Sequence, residues 1–375
     1  PYNLIEYRNP DGDSCVSNSS AEEAGGRMAK SRRRTMGQRG GSNWRRTVLA
    51  VAALFALGLA GWAAFVMTTP FGPLQETFVE ILPGSSTARI GRQLEEAGVV
   101  RSRYAFDAMR WLIHGTLKAG DYRFDHPAPA SEVYDRIRRG DVFTIAVTVP
   151  EGANMFDIAA RLEQAGFGPA AEFVNAARQE SGLVADLDPR AKTLEGYLFP
   201  DTYRIGPKEP MPRIAAMMVK QFRTAAAQIG LTHDVHAVVT LASLVERETA
   251  VDPERPIVAS VFENRMAKKM PLMTDPSVIY GLELTGAWRG TIYESDLKRN
   301  TPYNTYVHLG LPPGPISNPG IKSLEAAMNP AQTKYLYFVA AGENPQGKSL
   351  FATTIEEHNK NVAGYRAAVK KAGGK

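Results

Sequence analysis

The spacing of apolar positions changes along this chain, and each change marks a different kind of element. From Thr47 to Met67 the sequence TVLAVAALFALGLAGWAAFVM runs for 21 residues without a charge. At a rise of ~1.5 Å per residue this is a helix of roughly 31 Å, against a bilayer core of ~30 Å. A cleaved signal peptide has a shorter apolar core, ~7–15 residues, followed by small residues. Phe65, Val66 and Met67 stand there instead, so the segment reads as an uncleaved transmembrane anchor.

Beyond the span the apolar positions fall three and four apart, in two matched blocks. VEILPGSSTARIGRQLEEAG from Val79 and VTVPEGANMFDIAARLEQAG from Val147 align at a constant offset of 68 residues. Gly84 matches Gly152, Ile90 matches Ile158, Leu94 matches Leu162, and Ala97-Gly98 matches Ala165-Gly166. Each block predicts a short strand, a Gly turn and a helix whose stripe is Ile90, Leu94, Ala97 or Ile158, Leu162, Ala165. Ser86 and Asn154 are the expected N-caps, Gly98 and Gly166 the expected C′ residues. A second helix follows, from Ser102 and from Pro169. TLKAGDYRF then alternates like a strand, and SEVYDRIRRG predicts a short helix ending at Gly140. The strand–helix–helix–strand order is similar to the LysM-like modules of bacterial wall proteins. A structural spacer and a glycan-binding module both fit it.

From about residue 190 the texture changes again. LEGYLFPDTYRI, Leu194 to Ile205, mixes Glu195, Tyr197, Phe199, Asp201 and Tyr203. It reads either as a buried strand with a Pro-Asp turn or as an aromatic and acidic cleft wall. A Met- and Ala-rich helix runs from Pro212 to Ile229. THDVHAVVTLASLVERETA predicts a long helix capped by Thr232, on which Val238, Leu241, Val245 and Glu248 share one stripe. Val239, Ala242, Ser243 and Glu246 share the adjacent stripe. A carboxylate on an apolar helix is costly unless paired or used, and periodicity does not say which glutamate is buried. Ala242 and Ser243, one turn before Glu246, leave room for a ligand beside its carboxyl. IVASVFENRMAKK predicts the next helix, with Pro256 at its first position. Residues 300–320, NTPYNTYVHLGLPPGPISNPG, carry five prolines and hold Tyr303, Asn304, Tyr306, His308 and Asn318 in a stiff loop, a length that is usually functional. SLEAAMNP is a short helix, KYLYFVA a buried strand, and TTIEEHNKNVAGYRAAV a helix with a capping box at Thr353 or Thr354.

The formal net charge is +5 and the pI about 9.1, a balance that suggests nucleic acid until it is located. Residues 28–46 hold seven basic residues and no acid, residues 1–27 net −3, and the remainder is close to neutral at +1. The folded bulk has no nucleic-acid footprint. The basic run places the N-terminus in the cytoplasm and everything after residue 68 outside the inner membrane. Cys15, the only cysteine, precedes the span, so the exported part folds by packing alone. Residues 1–27 read as a solvated or non-native leader, with Met28 as the expected natural start.

The strings LEGYLFPDTY, LASLVERETA, ENRM, TDPSVIYGL, PYNTYVHLGLPPGPISNPG and EEHN follow one another in this order. As a set they resemble the endolytic murein transglycosylase family (MltG or YceG-like), from about Arg27 onward. The resemblance implies an α+β chain: a basic cytoplasmic tail (1–46), a single transmembrane helix (47–67), a LysM-like βααβ region (68–185) and a mixed α/β catalytic domain (186–375). It implies a single-pass inner-membrane enzyme, without cofactor or metal, acting on peptidoglycan strands beside wall-synthesis (penicillin-binding) proteins. The implied reaction breaks the MurNAc-β-1,4-GlcNAc bond of nascent strands without water. The muramic C6 hydroxyl attacks its own C1, leaving a 1,6-anhydro end and terminating elongation. Ordinary glycosidases need two carboxylates, but here the nucleophile is on the substrate. One acid can protonate the leaving oxygen and then accept the hydroxyl proton. Carried over by position, that acid is Glu246, with a pKa that must rise from ~4.3 toward ~6–7. Tyr303, Asn304, Tyr306 and Asn318 are the expected glycan contacts, with Glu195, Tyr197 and Asp275 beside them, and Glu248 is a bracing acid. Two positions depart from the family: Met273 where Gln is usual, and Ser349 where His is usual.

Two other classes compete. His233 and His236 have a chelating i, i+3 spacing, but no further metal-ligand pattern stands nearby, so two surface histidines are expected. A membrane-anchored scaffold that binds glycan through the repeats would leave the second half a degenerate relative.

Overall fold

The computed structural model describes residues 41–341 and 348–372. The leader and most of the basic run lie outside the described residues. Helix α1 (Gly41–Thr68) contains the apolar stretch Trp44–Thr68, of mean hydropathy 2.2. Among the described residues it is the one helix long and apolar enough to cross a membrane.

From Ala63 the chain forms one unit built on two hydrophobic cores. The first core belongs to the first repeat. Strand β1 (Thr77–Ile81) leads to α2 (Thr87–Glu96) and α3 (Arg103–Ile113), and β2 (Gly120–Phe124) returns antiparallel to β1, with Val79 opposite Tyr122. Ile90, Leu94, Phe106 and Tyr122 fill its interior, and α4 (Ala130–Arg139) adds Tyr134 and Ile137. The second repeat has the same order. Strand β3 (Ile145–Thr148), α5 (Met155–Gln164), α6 (Ala170–Gln179) and β4 (Thr202–Ile205) close with Val147 opposite Tyr203. The matched caps form as expected. Ser86 accepts from the Arg89 N–H at 3.3 Å, and Asn154 accepts from the Phe156 and Asp157 N–H groups, both at 2.9 Å. Gly98 and Gly166 sit in the left-handed region, φ 68° and 88°.

The closing strand of the second repeat is the PDTYRI end of LEGYLFPDTYRI, so this repeat extends past residue 185 to Ile205. It also lacks a core of its own. Ile158, Leu162 and Phe173 belong to one cluster with Leu241, Val245 and Phe262 from the second half. Where the first repeat is a self-contained module, the second is a wall of the larger domain.

That domain continues with α7 (Met211–Ile229), α8 (Val235–Glu248), α9 (Arg255–Ala267), α10 (Asp275–Leu284), α11 (Glu294–Leu297) and α12 (Ile321–Met328). It ends with the antiparallel pair β5 (Tyr337–Ala340) and β6 (Ser349–Ala352), then α13 (Ile355–Ala372). Helix α8 starts later than expected: Asp234, not Thr232, is the N-cap, in a left-handed conformation at φ 50°. Pro256 is the second residue of α9 rather than the first. The box on α13 closes as expected, Thr354 Oγ1 accepting from the Glu357 N–H at 3.2 Å.

Gly196 fixes how the loop before β4 passes the Pro-rich loop. Its φ is 88°, and a Cβ there would stand 2.5 Å from Pro315 Cγ and 2.8 Å from Val239 Cγ1. Left-handed strain and overpacking add. Gly196→Ala is expected to cost about 2–4 kcal/mol, read as a lower thermal unfolding midpoint. An unchanged midpoint would show that the two loops can part.

Candidate active site

The end of α8 sends three consecutive side chains in three directions. Glu246 turns inward. Its Oε1 accepts from Arg255 Nη1 at 2.7 Å, its Oε2 accepts from the Gly320 N–H at 2.9 Å, and both side chains of the ion pair are only 5 % exposed. Arg247 donates to the Gly152 carbonyl of the second repeat at 3.0 Å. Glu248, the last helical residue, points into a cavity of about 390 Å³.

The two glutamates differ in what their oxygens have left to do. Both oxygens of Glu246 are used, one by the Arg255 guanidinium and one by the Gly320 N–H. The room that Ala242 and Ser243 leave beside it is occupied by the Pro-rich loop. The Ile316 N–H donates to Ser243 Oγ at 3.1 Å, and Ser317 Oγ donates to the Ser243 carbonyl at 3.2 Å. The Glu248 carboxyl, by contrast, makes no ion pair among the described residues and is approached by one neutral donor, the Thr274 hydroxyl. Burial, with the nearby Asp275 charge, pushes the Glu248 carboxyl up to about 7 against the opposing pull of Thr274, Arg265 and Arg247. Its position at a helix C-terminus, where backbone carbonyls point outward, acts in the same direction.

The cavity wall is assembled from distant strings. Arg265 comes from α9, Met273 from the loop before α10, Asp275 from the first turn of α10, Tyr306 from the Pro-rich loop, Tyr337 from β5 and His358 from α13. The loop is pinned there by Thr305, whose Oγ1 accepts from the Thr274 N–H at 3.0 Å and whose carbonyl accepts from the Met273 N–H at 3.2 Å. Tyr306 donates its hydroxyl to Asp275 Oδ1 at 2.6 Å. Burial and that carboxylate raise the phenol far above its ordinary range, so it stays a donor.

Of the seven residues expected to touch a ligand, the cavity therefore holds Tyr306 and Asp275. Asn304 is fully buried and spends its amide on the carbonyls of Asp296, Leu297 and Arg299. Asn318 is equally buried, donating to the Ala153 carbonyl and to Glu195 Oε1, both at 2.9 Å. Glu195 lies in the core beneath the second repeat, where burial pushes it up to about 8 although the Met155 N–H and Tyr280 bond to it. Tyr197 donates to Asp188 at 2.6 Å in the interior. Tyr303 packs edge-on against Tyr280 with ring centres 5.1 Å apart. These five hold the loop and the second repeat together and offer no free polar atom at the cavity. His236 is not a surface residue: Nδ1 faces Asp188 Oδ2 at 2.6 Å and Nε2 faces the Pro313 carbonyl at 3.0 Å, while His233 is exposed. Met273 lines the cavity at φ 54°, whereas Ser349 lies on β6 with its N–H bonded to Glu254 at 2.9 Å.

The family model that matches this chain spans residues 79–364, both repeats and the cavity together, and is described as the YceG-like family. The chain belongs to the YceG-like family. Among relatives, an endolytic murein transglycosylase of Bacillus subtilis (strain 168) is 33% identical over 308 residues, covering 76% of this chain and 84% of that protein. One from Streptococcus pneumoniae serotype 2 is 28% identical over 321 residues, and this chain spans 57% of its length. The crystal structure of a yceG-like protein from Listeria monocytogenes superposes with a TM-score of 0.50 at 32% identity, covering 77% of this chain and 99% of that one. In this YceG-like chain, Glu248 was expected only as a bracing acid, and Arg265 and His358 were not among the expected ligand contacts. Each sits inside a string quoted for the resemblance, VERET, ENRM or EEHN.

Proposed function

We propose that this chain is a membrane-anchored endolytic murein transglycosylase in which Glu248, rather than Glu246, is the acid. One observation carries the assignment: Glu248 is the carboxyl in the cavity that is both free of an ion pair and held near 7. A catalytic acid works best when its pKa lies near the working pH. In the protonated form Glu248 gives its proton to the bridging oxygen as the C1–O bond breaks and the electron pair leaves with that oxygen. The muramic C6 oxygen then forms the new bond to C1, and its proton passes to the Glu248 carboxylate, which restores the acid. No water enters. The names of the relatives support the substrate, and the apolar helix α1 behind a basic run supports an anchor with the domain outside the cytoplasm. Such an enzyme, held at the membrane, would end nascent strands where synthases extend them.

A second reading is favoured by Asp275, a second carboxylate in the same cavity. With a water between substrate and Asp275, the pair could act as a hydrolase. Mass spectrometry of uncrosslinked glycan after digestion decides between them. Ends lighter by one water than ordinary reducing ends are expected, and ordinary ends would establish hydrolysis. The pH profile follows from the sign of the shift. The donor is protonated below its pKa, so kcat/KM is expected to fall as pH rises through about 7. A rate still rising at pH 9 would exclude a carboxylic acid donor.

A further inference from the structure

We propose that His358 and Arg265 form a subsite in the wall of the Glu248 cavity that takes the carbonyl oxygen of an N-acetyl group, so that cleavage depends on N-acylation of the glycan. The inference rests on the glycan reading of the cavity and extends it to a named substituent.

The His358 ring lies flat against Tyr337, with centroids 5.2 Å apart and planes 23° apart, which fixes its orientation. Its Nδ1 is buried and meets no partner. Nε2 is therefore the ring nitrogen left for a ligand, a donor in the tautomer that carries its proton there. Burial, then the Arg265 charge, holds the imidazole below the usual histidine range, so the neutral ring presents Nε2–H. Arg265 is fixed too. Its Nε donates to the Leu336 carbonyl at 2.6 Å and its Nη1 to the Leu272 carbonyl at 2.7 Å, leaving Nη2 for the cavity. The guanidinium stands 5.4 Å over the Tyr337 ring.

This wall therefore offers donors above an aromatic plate. Its complement is an acceptor oxygen beside an apolar group, which an acetamide supplies as carbonyl and methyl. A free amino sugar would bring an ammonium toward Arg265 and supply no acceptor. A carboxylate would meet Glu248 and Asp275 in the same cavity.

The test uses the full chain in detergent with uncrosslinked glycan, either N-acetylated or N-deacetylated. For wild type, kcat/KM is expected to fall about tenfold or more on the deacetylated strand, the scale of losing a charge-assisted hydrogen bond. His358→Phe keeps the ring on Tyr337 and removes the N–H. It is expected to lose about fivefold to tenfold on acetylated glycan and little on deacetylated glycan, so the preference shrinks. His358→Gln, whose amide nitrogen reaches the Nε2 position, is expected to restore most of it. Equal cleavage of both strands by wild type overturns the subsite and needs no variant. So does an equal loss on both strands in His358→Phe, which would mark a packing role. If wild type leaves acetylated glycan uncut, the glycan reading itself fails and the subsite with it.

Discussion

Glu248→Gln is expected to lower the rate of glycan cleavage by about 10²–10⁴-fold, the usual contribution of a positioned proton donor. Gln has nearly the same shape and fills the same place, so the cavity is kept while the proton is lost. Glu248 makes no ion pair and meets only the Thr274 hydroxyl, from which a Gln oxygen can still accept, so its replacement is expected to leave the fold intact. The unfolding midpoint should stay at the wild-type value or rise, because a costly buried acid is gone. Cleavage at the wild-type rate by Glu248→Gln would return the acid to Glu246 or to Asp275.

The second large effect is on stability. Arg255 joins Glu246 at 2.7 Å and Asp252 at 3.1 Å, and also donates to Ser323, drawing α8, α9 and α12 together. Arg255→Met leaves the Glu246 carboxylate buried beside only the Gly320 N–H. Removing one partner of a buried pair costs about 3–5 kcal/mol, and that loss is expected in thermal or urea unfolding. Removing both charges together, with Glu246→Met added, should recover part of it, because no unpaired charge then remains. Glu246→Gln keeps an acceptor for Arg255, so it is expected to unfold more easily than wild type and, below that transition, to retain most cleavage. Abolished cleavage with an unchanged midpoint would instead make Glu246 the catalytic group.

These two glutamates show where sequence reading reached its limit. Periodicity placed both on α8 and gave each a stripe of apolar neighbours. Which stripe meets a groove depends on packing partners seventy or more residues away, Gly320 and Ser323 for one glutamate and Tyr337 and His358 for the other. Small residues before Glu246 suggested space, but Ile316 and Ser317 occupy it. Local signals fared better. The helix stripes of the offset repeat, the caps at Ser86 and Asn154 and the box at Thr354 depend on neighbours within a turn or two of helix, and all of them form. The Pro-rich loop was legible as rigid and polar, yet its buried amides proved to be internal ties. Asn304 is spent on the carbonyls of Asp296, Leu297 and Arg299 just before the loop, and Asn318 on Ala153 and Glu195 of the second repeat, so both amides satisfy buried acceptors of neighbouring segments.

The unequal cores of the two repeats set different rules for their exchange. The first repeat carries its own interior, so substitutions inside it are expected to be absorbed there rather than passed to the groove. The second is bound by the interior it shares with α8 and α9. Splitting the chain at residue 185 would strip β3 of β4 and open that interior to water, yielding an insoluble fragment rather than a portable binding module.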